Sequence, residues 1–252
     1  MKEQIHTIPI TEAMENAGEC PFCYIKRKTE EHALDFVLGN GASYMEADIR
    51  EMTDQAGFCQ GHYKKMFDYG NALGNAWILK TYYMKTLKEM DKEFAHFKPG
   101  VQKKSLFKNN SSSDNSIVNW LQKREESCFI CDMIDRTFHD YMDTFFRIYR
   151  KEPEFREQLK KTKGFCLSHF SLLCSKADAS LPEDELKSFY DIVLPLMKEN
   201  INRIFEDVSW FVEKYDYKNK DADWKNSKDA IQRAMQKAKG QDPSLPAYQK
   251  KK

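Results

Sequence analysis

The sequence predicts an all-α protein made of two pseudo-symmetric helical repeats of about four helices each, followed by a helix in a C-terminal tail. Three observations predict this fold. Glycine and proline are scarce, at 10 and 8 of 252 residues, and runs of β-branched residues are rare, as expected for helices. Apolar residues recur at helical spacing. A pair of cysteine motifs occurs twice, which indicates an internal duplication.

Each repeat contains a CxxC motif followed by a GFCxxH motif. The first repeat contributes Cys20, Cys23, Cys59 and His62, and the second contributes Cys128, Cys131, Cys166 and His169. The first cysteine of CxxC precedes the cysteine of CxxH by 39 residues in the first repeat and by 38 in the second. Because both motifs recur at matched spacing, we predict one Cys3His metal site within each repeat.

Glycines separate the predicted helices of the first repeat. Gly39 and Gly41 end the helix that carries the first CxxC, and Gly70 precedes the longest helix. Ser43 followed by Glu46 is a capping-box pattern for a short helix between them. The predicted helices are 20–38, 43–52, a helix after Gly57 that carries Cys59 and His62, and 71–94.

The second repeat has the same order of elements. The predicted helices are 117–123, 128–150, a helix that starts at Pro153, a helix opened by Cys166 and His169, and 183–213. Proline is favoured in the first turn of a helix, which supports the start at Pro153.

The domain boundaries are predicted from composition. Residues 97–116 contain a run of Asn and Ser and are predicted to be a flexible linker between repeats 1–96 and 117–213. The tail, 214–252, has eleven Lys or Arg against five Asp and contains a predicted helix at 228–239. Its segment Trp224–Ala230 is expected either to dock the tail on the body or to cover a partner site.

The spacing of the cysteine motifs suits metal binding by helix N-termini. Residues i and i+3 lie on one face of a helix, so each motif presents two ligands together. Three thiolates and a divalent ion carry a charge of −1, which the partial positive charge of helix N-termini stabilises. Thiolate and imidazole ligands favour two zinc ions, and two iron–sulfur clusters are the alternative.

A redox interpretation of the first motif is weaker. Cys20-Pro21-Phe22-Cys23 resembles the redox pair of a glutaredoxin, but that chemistry requires a βαβ context that the sequence does not contain. The second repeat lacks the proline, and a redox pair would not explain the CxxH motifs.

The sequence restricts the function to a few classes. A net charge of +1 gives no reason to expect nucleic-acid binding. No segment has the roughly 18 apolar residues of a membrane span, and the N-terminus lacks an apolar signal region, so we expect a cytoplasmic protein without a membrane partner. The leading hypothesis is a zinc-stabilised scaffold that binds an unidentified protein or small molecule. The alternatives are a metal-dependent enzyme or redox protein, and a metal storage or delivery protein, so no catalytic residue is predicted.

The two CxxC/GFCxxH units resemble those of a bacterial family. The resemblance extends to the tail, through the segments Phe211–Tyr217 and Trp224–Ala230. The family is a domain of unknown function of roughly this length, present mostly in anaerobic low-GC bacteria. The resemblance covers nearly the whole chain and implies no reaction or catalytic residue.

Overall fold

A computed structural model of the protein describes residues 7–16, 18–98 and 115–245. These residues form eleven α-helices, two one-turn 3-10 helices and no β-strand. The predicted all-α fold is confirmed. Most of the predicted linker, 97–116, lies outside the described residues.

The helices follow the predicted order closely. They are α1 Ile8–Asn16, α2 Pro21–Leu38, α3 Ala47–Ala56, α4 Gln60–Tyr69, α5 Ala72–His96, α6 Ser116–Glu126, α7 Phe129–Lys151, α8 Pro153–Lys161, α9 Leu167–Ser180, α10 Glu183–Glu213 and α11 Ala230–Lys239. The 3-10 helices are Ser43–Met45 and Tyr217–Asn219. The duplication is visible in this order, because α1 to α5 and α6 to α10 begin at equivalent positions of the two repeats.

A glycine with a left-handed backbone precedes each CxxH motif. Gly57 has φ +60° and Gly164 has φ +71°, a region that side chains disfavour. Space is also restricted, because a Cβ on Gly57 would lie 2.9 Å from the ring of Tyr82, and one on Gly164 would lie 2.9 Å from the sulfur of Met197. These glycines therefore fix the turn that leads into each Phe-Cys pair.

The chain forms two compact units whose boundary does not follow the repeats. Among the described residues, the first unit comprises those within 7–29 and 136–245, and the second comprises those within 30–135. The boundary falls inside α2 and α7, so each of these helices gives its N-terminal turns to one unit and its C-terminal turns to the other. This division differs from the predicted domains 1–96 and 117–213, which stay predictions about the sequence repeats.

Large aromatic side chains form the core of the first unit. Phe145 is fully buried, and its ring centroid lies 5.4 Å from that of Phe22, 5.2 Å from that of Phe155 and 6.5 Å from that of Phe165. These contacts join α2, α7, α8 and the loop before α9. Each buried aromatic ring removes a large apolar area from water, which stabilises the fold.

The core of the second unit has fewer aromatic rings and combines the C-terminal half of α2 with residues of α4, α5 and α7. Val37 and Leu38 belong to a buried cluster with Phe58, Ile78 and Phe129. The amide of Phe129 donates to the carbonyl of Gly57 at 2.9 Å, which fixes the first turn of α7 beside the loop before α4.

Among the described residues, none of the helices has the length and apolar composition needed to cross a bilayer.

We expect Phe145→Ala to lower the free energy of unfolding by about 3–5 kcal/mol, because it leaves a cavity among packed rings. Urea unfolding of the purified protein measures this change. Phe205→Ala is the matched control, since Phe205 is 66% exposed on α10 of the same unit, and it is expected to change stability by less than about 0.5 kcal/mol. Equal effects of the two substitutions would contradict the assignment of the core.

Candidate metal centres

The eight predicted ligand residues lie in two clusters. Site 1 consists of Cys20, Cys23, Cys166 and His169, and site 2 consists of Cys59, His62, Cys128 and Cys131. Within each cluster, the four possible ligand atoms all lie within 4.8 Å of one another. Each cluster is therefore compact enough to surround a single ion.

The composition of the two clusters corrects the predicted pairing. We expected each CxxC to share a site with the CxxH of its own repeat. Instead, the CxxC of the first repeat lies with the CxxH of the second, and the CxxC of the second lies with the CxxH of the first. Site 1 lies within the first compact unit and site 2 within the second.

The crossed pairing is explained by the position along α2 and α7 at which each CxxH packs. In the first repeat, α4 packs beside the middle of α2, where Nε2 of His62 lies 3.0 Å from a carboxylate oxygen of Glu30. Cys23 precedes Glu30 by seven residues, which corresponds to about 10 Å along a helix. In the second repeat, the His169 ring lies 5.4 Å from that of Phe138, which follows Cys131 by seven residues. Each CxxC is thus too far along its helix to meet the CxxH of its own repeat.

The candidate ligands lie at helix N-termini, as predicted. Cys59 and Cys166 are the N-cap residues of α4 and α9, and Cys20 and Cys128 immediately precede α2 and α7. The sulfur of Cys166 accepts a hydrogen bond from the amide of His169 at 3.5 Å. Free amides and the helix dipole stabilise thiolates at these positions.

The ligand-atom separations at site 1 match a tetrahedron around one ion. Nδ1 of His169 lies 3.5, 3.3 and 3.2 Å from the sulfurs of Cys20, Cys23 and Cys166, and the sulfurs of Cys23 and Cys166 are 3.7 Å apart. With metal–sulfur bonds of about 2.3 Å and metal–nitrogen bonds of about 2.0–2.1 Å, a regular tetrahedron requires about 3.8 Å between sulfurs and about 3.5 Å between sulfur and nitrogen.

Site 2 has the same dimensions. Nδ1 of His62 lies 3.2, 3.1 and 3.4 Å from the sulfurs of Cys59, Cys128 and Cys131. The sulfurs of Cys59 and Cys131 are 3.9 Å apart. The two sites therefore have equivalent ligand sets, each with three sulfurs and Nδ1 of one imidazole.

The protein environment favours charge separation between imidazole and thiolate at both sites. Burial opposes a charged His62, but its hydrogen bonds to Cys128 and Glu30 raise the pKa of His62 to about 10. Burial likewise opposes a charged Cys128, but the hydrogen bond to His62 lowers the pKa of Cys128 to about 6. A metal ion that binds these atoms displaces the proton on the imidazole, so binding would release protons.

Neighbouring sulfurs dominate the corresponding shifts at site 1. Hydrogen bonds from Cys20 and Cys23, followed by that from His169, lower the pKa of Cys166 despite its burial. Burial opposes a charged His169, but hydrogen bonds to Cys166 and Cys20 raise its pKa to about 9. Site 1 therefore also favours a thiolate at Cys166 beside a protonated imidazole when no metal is bound.

The surroundings of the two histidines differ. At site 2, Glu30 accepts from Nε2 of His62 and also forms an ion pair with Lys65. The equivalent positions in the second repeat are Phe138 and Leu172. The His169 ring instead lies between Phe138, at 5.4 Å, and Phe22, at 6.0 Å. A carboxylate that accepts from a metal-bound imidazole fixes the orientation of the ring and raises its basicity. Of the two described sites, site 2 alone has such a carboxylate.

Sequence reasoning missed Glu30 and Lys65. The available signal was the spacing, because Glu30 follows Cys23 by seven residues and so lies on the same side of α2. That signal could not be interpreted without the crossed pairing, which places Glu30 beside the site that Cys23 does not join.

Paired serine substitutions test the crossed pairing. Cys23→Ser with Cys166→Ser removes two ligands from site 1 only, and we expect this protein to lose one of its two bound ions. Cys23→Ser with Cys59→Ser removes one ligand from each site, and we expect both ions to be lost or bound weakly. Metal content per chain, measured after gel filtration, distinguishes the two proteins. The reverse result would support pairing within repeats.

Glu30→Gln tests the carboxylate support of His62. We expect metal affinity at site 2 to fall by about 10–100-fold, with site 1 unchanged, because the outer partner of a metal-bound imidazole is removed. Competition with a chelator of known affinity measures both sites. Glu51→Gln, an exposed position on α3, is the control. An unchanged affinity in Glu30→Gln would show that the Glu30 contact does not support the site.

Comparisons with known proteins identify the family of the chain but no characterised relative. No significant match is found among curated proteins or among solved structures. The profile described as "Family of unknown function (DUF6062)" matches residues 1–244, which covers nearly the whole chain and both candidate metal centres. The chain therefore belongs to this family of unknown function, DUF6062.

Proposed function

We propose that the protein binds two zinc ions, one in each Cys3His cluster, and that these ions hold the helices of the two units in place. The chain would then act in the cytoplasm as a helical scaffold for an unidentified protein or small molecule. The observation that carries the proposal is the geometry of the two clusters, in which four soft or borderline donors lie at the separations required by one tetrahedral ion.

The small size of the clusters favours zinc over an iron–sulfur cluster. Ligands of an iron–sulfur cluster bind different iron atoms, which are separated by bridging sulfides. Here the sulfur–nitrogen separations are 3.1–3.5 Å, and the two measured sulfur–sulfur separations are 3.7 and 3.9 Å. These distances leave room for one ion rather than for several irons and sulfides.

The complete ligand set favours a structural role. Catalytic zinc sites keep one position for water or substrate, whereas structural sites have four protein ligands. Each cluster supplies three thiolates and an imidazole, so neither ion would have an open position. The expectations that the protein binds no nucleic acid and no membrane stay predictions.

Each ion would also join residues that are distant in sequence. Site 1 connects Cys20 with Cys166, and site 2 connects Cys59 with Cys128. Metal binding that is coupled to folding contributes directly to stability, and a cross-link between distant residues restricts the unfolded chain most. The ions would therefore offset part of the conformational entropy that the chain loses when each unit folds.

Elemental analysis and a visible spectrum test the proposal, on protein purified without oxygen and without a metal-binding tag. We expect two zinc ions per chain, a colourless protein, and loss of cooperative unfolding after zinc is removed by a chelator. Cys174→Ser is the matched control, because Cys174 lies outside both clusters, and it should retain both ions. Iron with sulfide and a brown colour would favour the alternative of a redox protein, and absence of metal would overturn the proposal.

A further inference from the structure

The C-terminal helix is fixed to the first unit by a buried lysine. We define the strap as residues 230–240, which are α11 and the glycine that follows it. Lys237 is 1% exposed, and its Nζ donates to the carbonyls of Glu19 at 2.7 Å and Lys163 at 2.5 Å. The same Nζ lies 3.3 Å from the Glu19 carboxylate, which is also buried. The strap is therefore joined directly to the residue before Cys20.

A second set of ion pairs fixes the start of the strap. Arg233 contacts the carboxylates of Asp207 at 2.8 Å and Asp229 at 2.7 Å. Ala230, the first residue of α11, is fully buried. The strap packs on α9 and α10, which both belong to the first unit. Several partly buried contacts thus hold the strap in one position.

The end of the strap covers the sulfurs of site 1. Gly240 has φ +100°, and a Cβ at this position would lie 3.2 Å from the sulfur of Cys166 and 3.4 Å from that of Cys23. A side chain at this position would be strained by the positive φ and would require the sulfur of Cys166 to shift by a few tenths of an ångström. The third cysteine of site 1, Cys20, is fully buried, as is Cys166.

The cysteines of site 2 are less covered than those of site 1. Two of the three, Cys59 and Cys131, are partly exposed, whereas Cys23 is the one partly exposed cysteine of site 1. The histidines differ in the opposite sense, because His62 is buried and His169 is partly exposed. A Cβ on Gly61, which lies between Cys59 and His62, would meet open space. In the part of the chain that the structure describes, the strap covers sulfurs of site 1 alone.

We infer that the two sites differ in function: the strap makes the ion of site 1 permanent, while site 2 exchanges its ion with thiolate ligands of another molecule. This inference rests on the proposed function. Ligand exchange at zinc passes through a complex with an additional ligand, so an incoming sulfur must reach the ion. At site 1 the backbone at Gly240 hinders that approach over the sulfurs of Cys166 and Cys23, whereas at site 2 both Cys59 and Cys131 are partly exposed.

The exchange needs no oxidant or reductant. A bond from zinc to the incoming thiolate would form as the bond to Cys131 breaks. Further thiolates of the same molecule would then replace Cys59, Cys128 and His62 in the same way. The proton lost by the incoming thiol is taken up by the released cysteine, and zinc stays divalent. The chemical class of acceptor or donor is therefore a molecule with several thiolates, and site 2 would give zinc to it or receive zinc from it.

Zinc transfer to a coloured chelator in excess tests the inference on the full-length, zinc-loaded protein. We expect two phases of equal amplitude, with the slower at least about tenfold slower, equivalent to about 1.4 kcal/mol in the barrier. Cys131→Ser should abolish the fast phase and keep the slow one. A single phase for both ions, or a fast phase that persists in Cys131→Ser, would overturn the inference.

Strap variants identify the cause of the slow phase. Gly240→Ala forces a Cβ against two sulfurs, and Lys237→Met removes the buried ammonium. Each is expected to accelerate the slow phase by about tenfold or more and to leave the fast phase unchanged. The controls are Gly41→Ala, where a Cβ meets open space, and Met235→Ala, an exposed position on α11.

The outcomes separate this inference from the proposed function. Two zinc ions per chain before exchange support the proposed function, whatever the rates. An unchanged slow phase in Gly240→Ala, with normal helicity by circular dichroism, would overturn the role of the strap alone. If Lys237→Met unfolds the first unit, Gly240→Ala still tests the strap, because it changes one residue after α11. Fewer than two zinc ions in the unmodified protein would overturn both.

Discussion

The arrangement of this protein depends on a distance along two helices, α2 and α7. Each carries a CxxC at its first turn, while the CxxH of its own repeat packs about two turns further along the same helix. Rigid helical backbone cannot shorten that distance, so each CxxC meets a CxxH from the other repeat. As a result, the first compact unit contains the beginning of the first repeat and most of the second, and the second unit contains the reverse.

Because each CxxC pairs with the CxxH of the other repeat, formation of either site requires both repeats. Neither repeat contains a complete ligand set, because the sulfurs of Cys20 and Cys23 lie with Cys166, and those of Cys128 and Cys131 lie with Cys59. Completion of either site requires residues from both halves of the chain. The duplication therefore produced two sites that depend on each other's repeats, rather than two independent metal-binding domains.

The two sites have the same ligands but different surroundings. At site 2, His62 is supported by a carboxylate that is itself paired with a lysine. At site 1, phenylalanine rings surround His169, and the C-terminal strap lies over two sulfurs. Since the ligand sets match, any difference in metal binding between the sites must come from these neighbours. The strap, residues 230–240, thus has a definite position beside site 1.

The sequence by itself determined the helical class, the bounds of most helices and the eight candidate ligands, because helix signals and i, i+3 ligand spacing are local. The 31 residues of α10, for example, were predicted to the residue. Only the tertiary structure decided which motifs meet, how the units divide α2 and α7, and that Glu30 and Gly240 lie beside the sites. These features depend on how far along a helix two segments pack, and spacing along the chain carries no information about that distance.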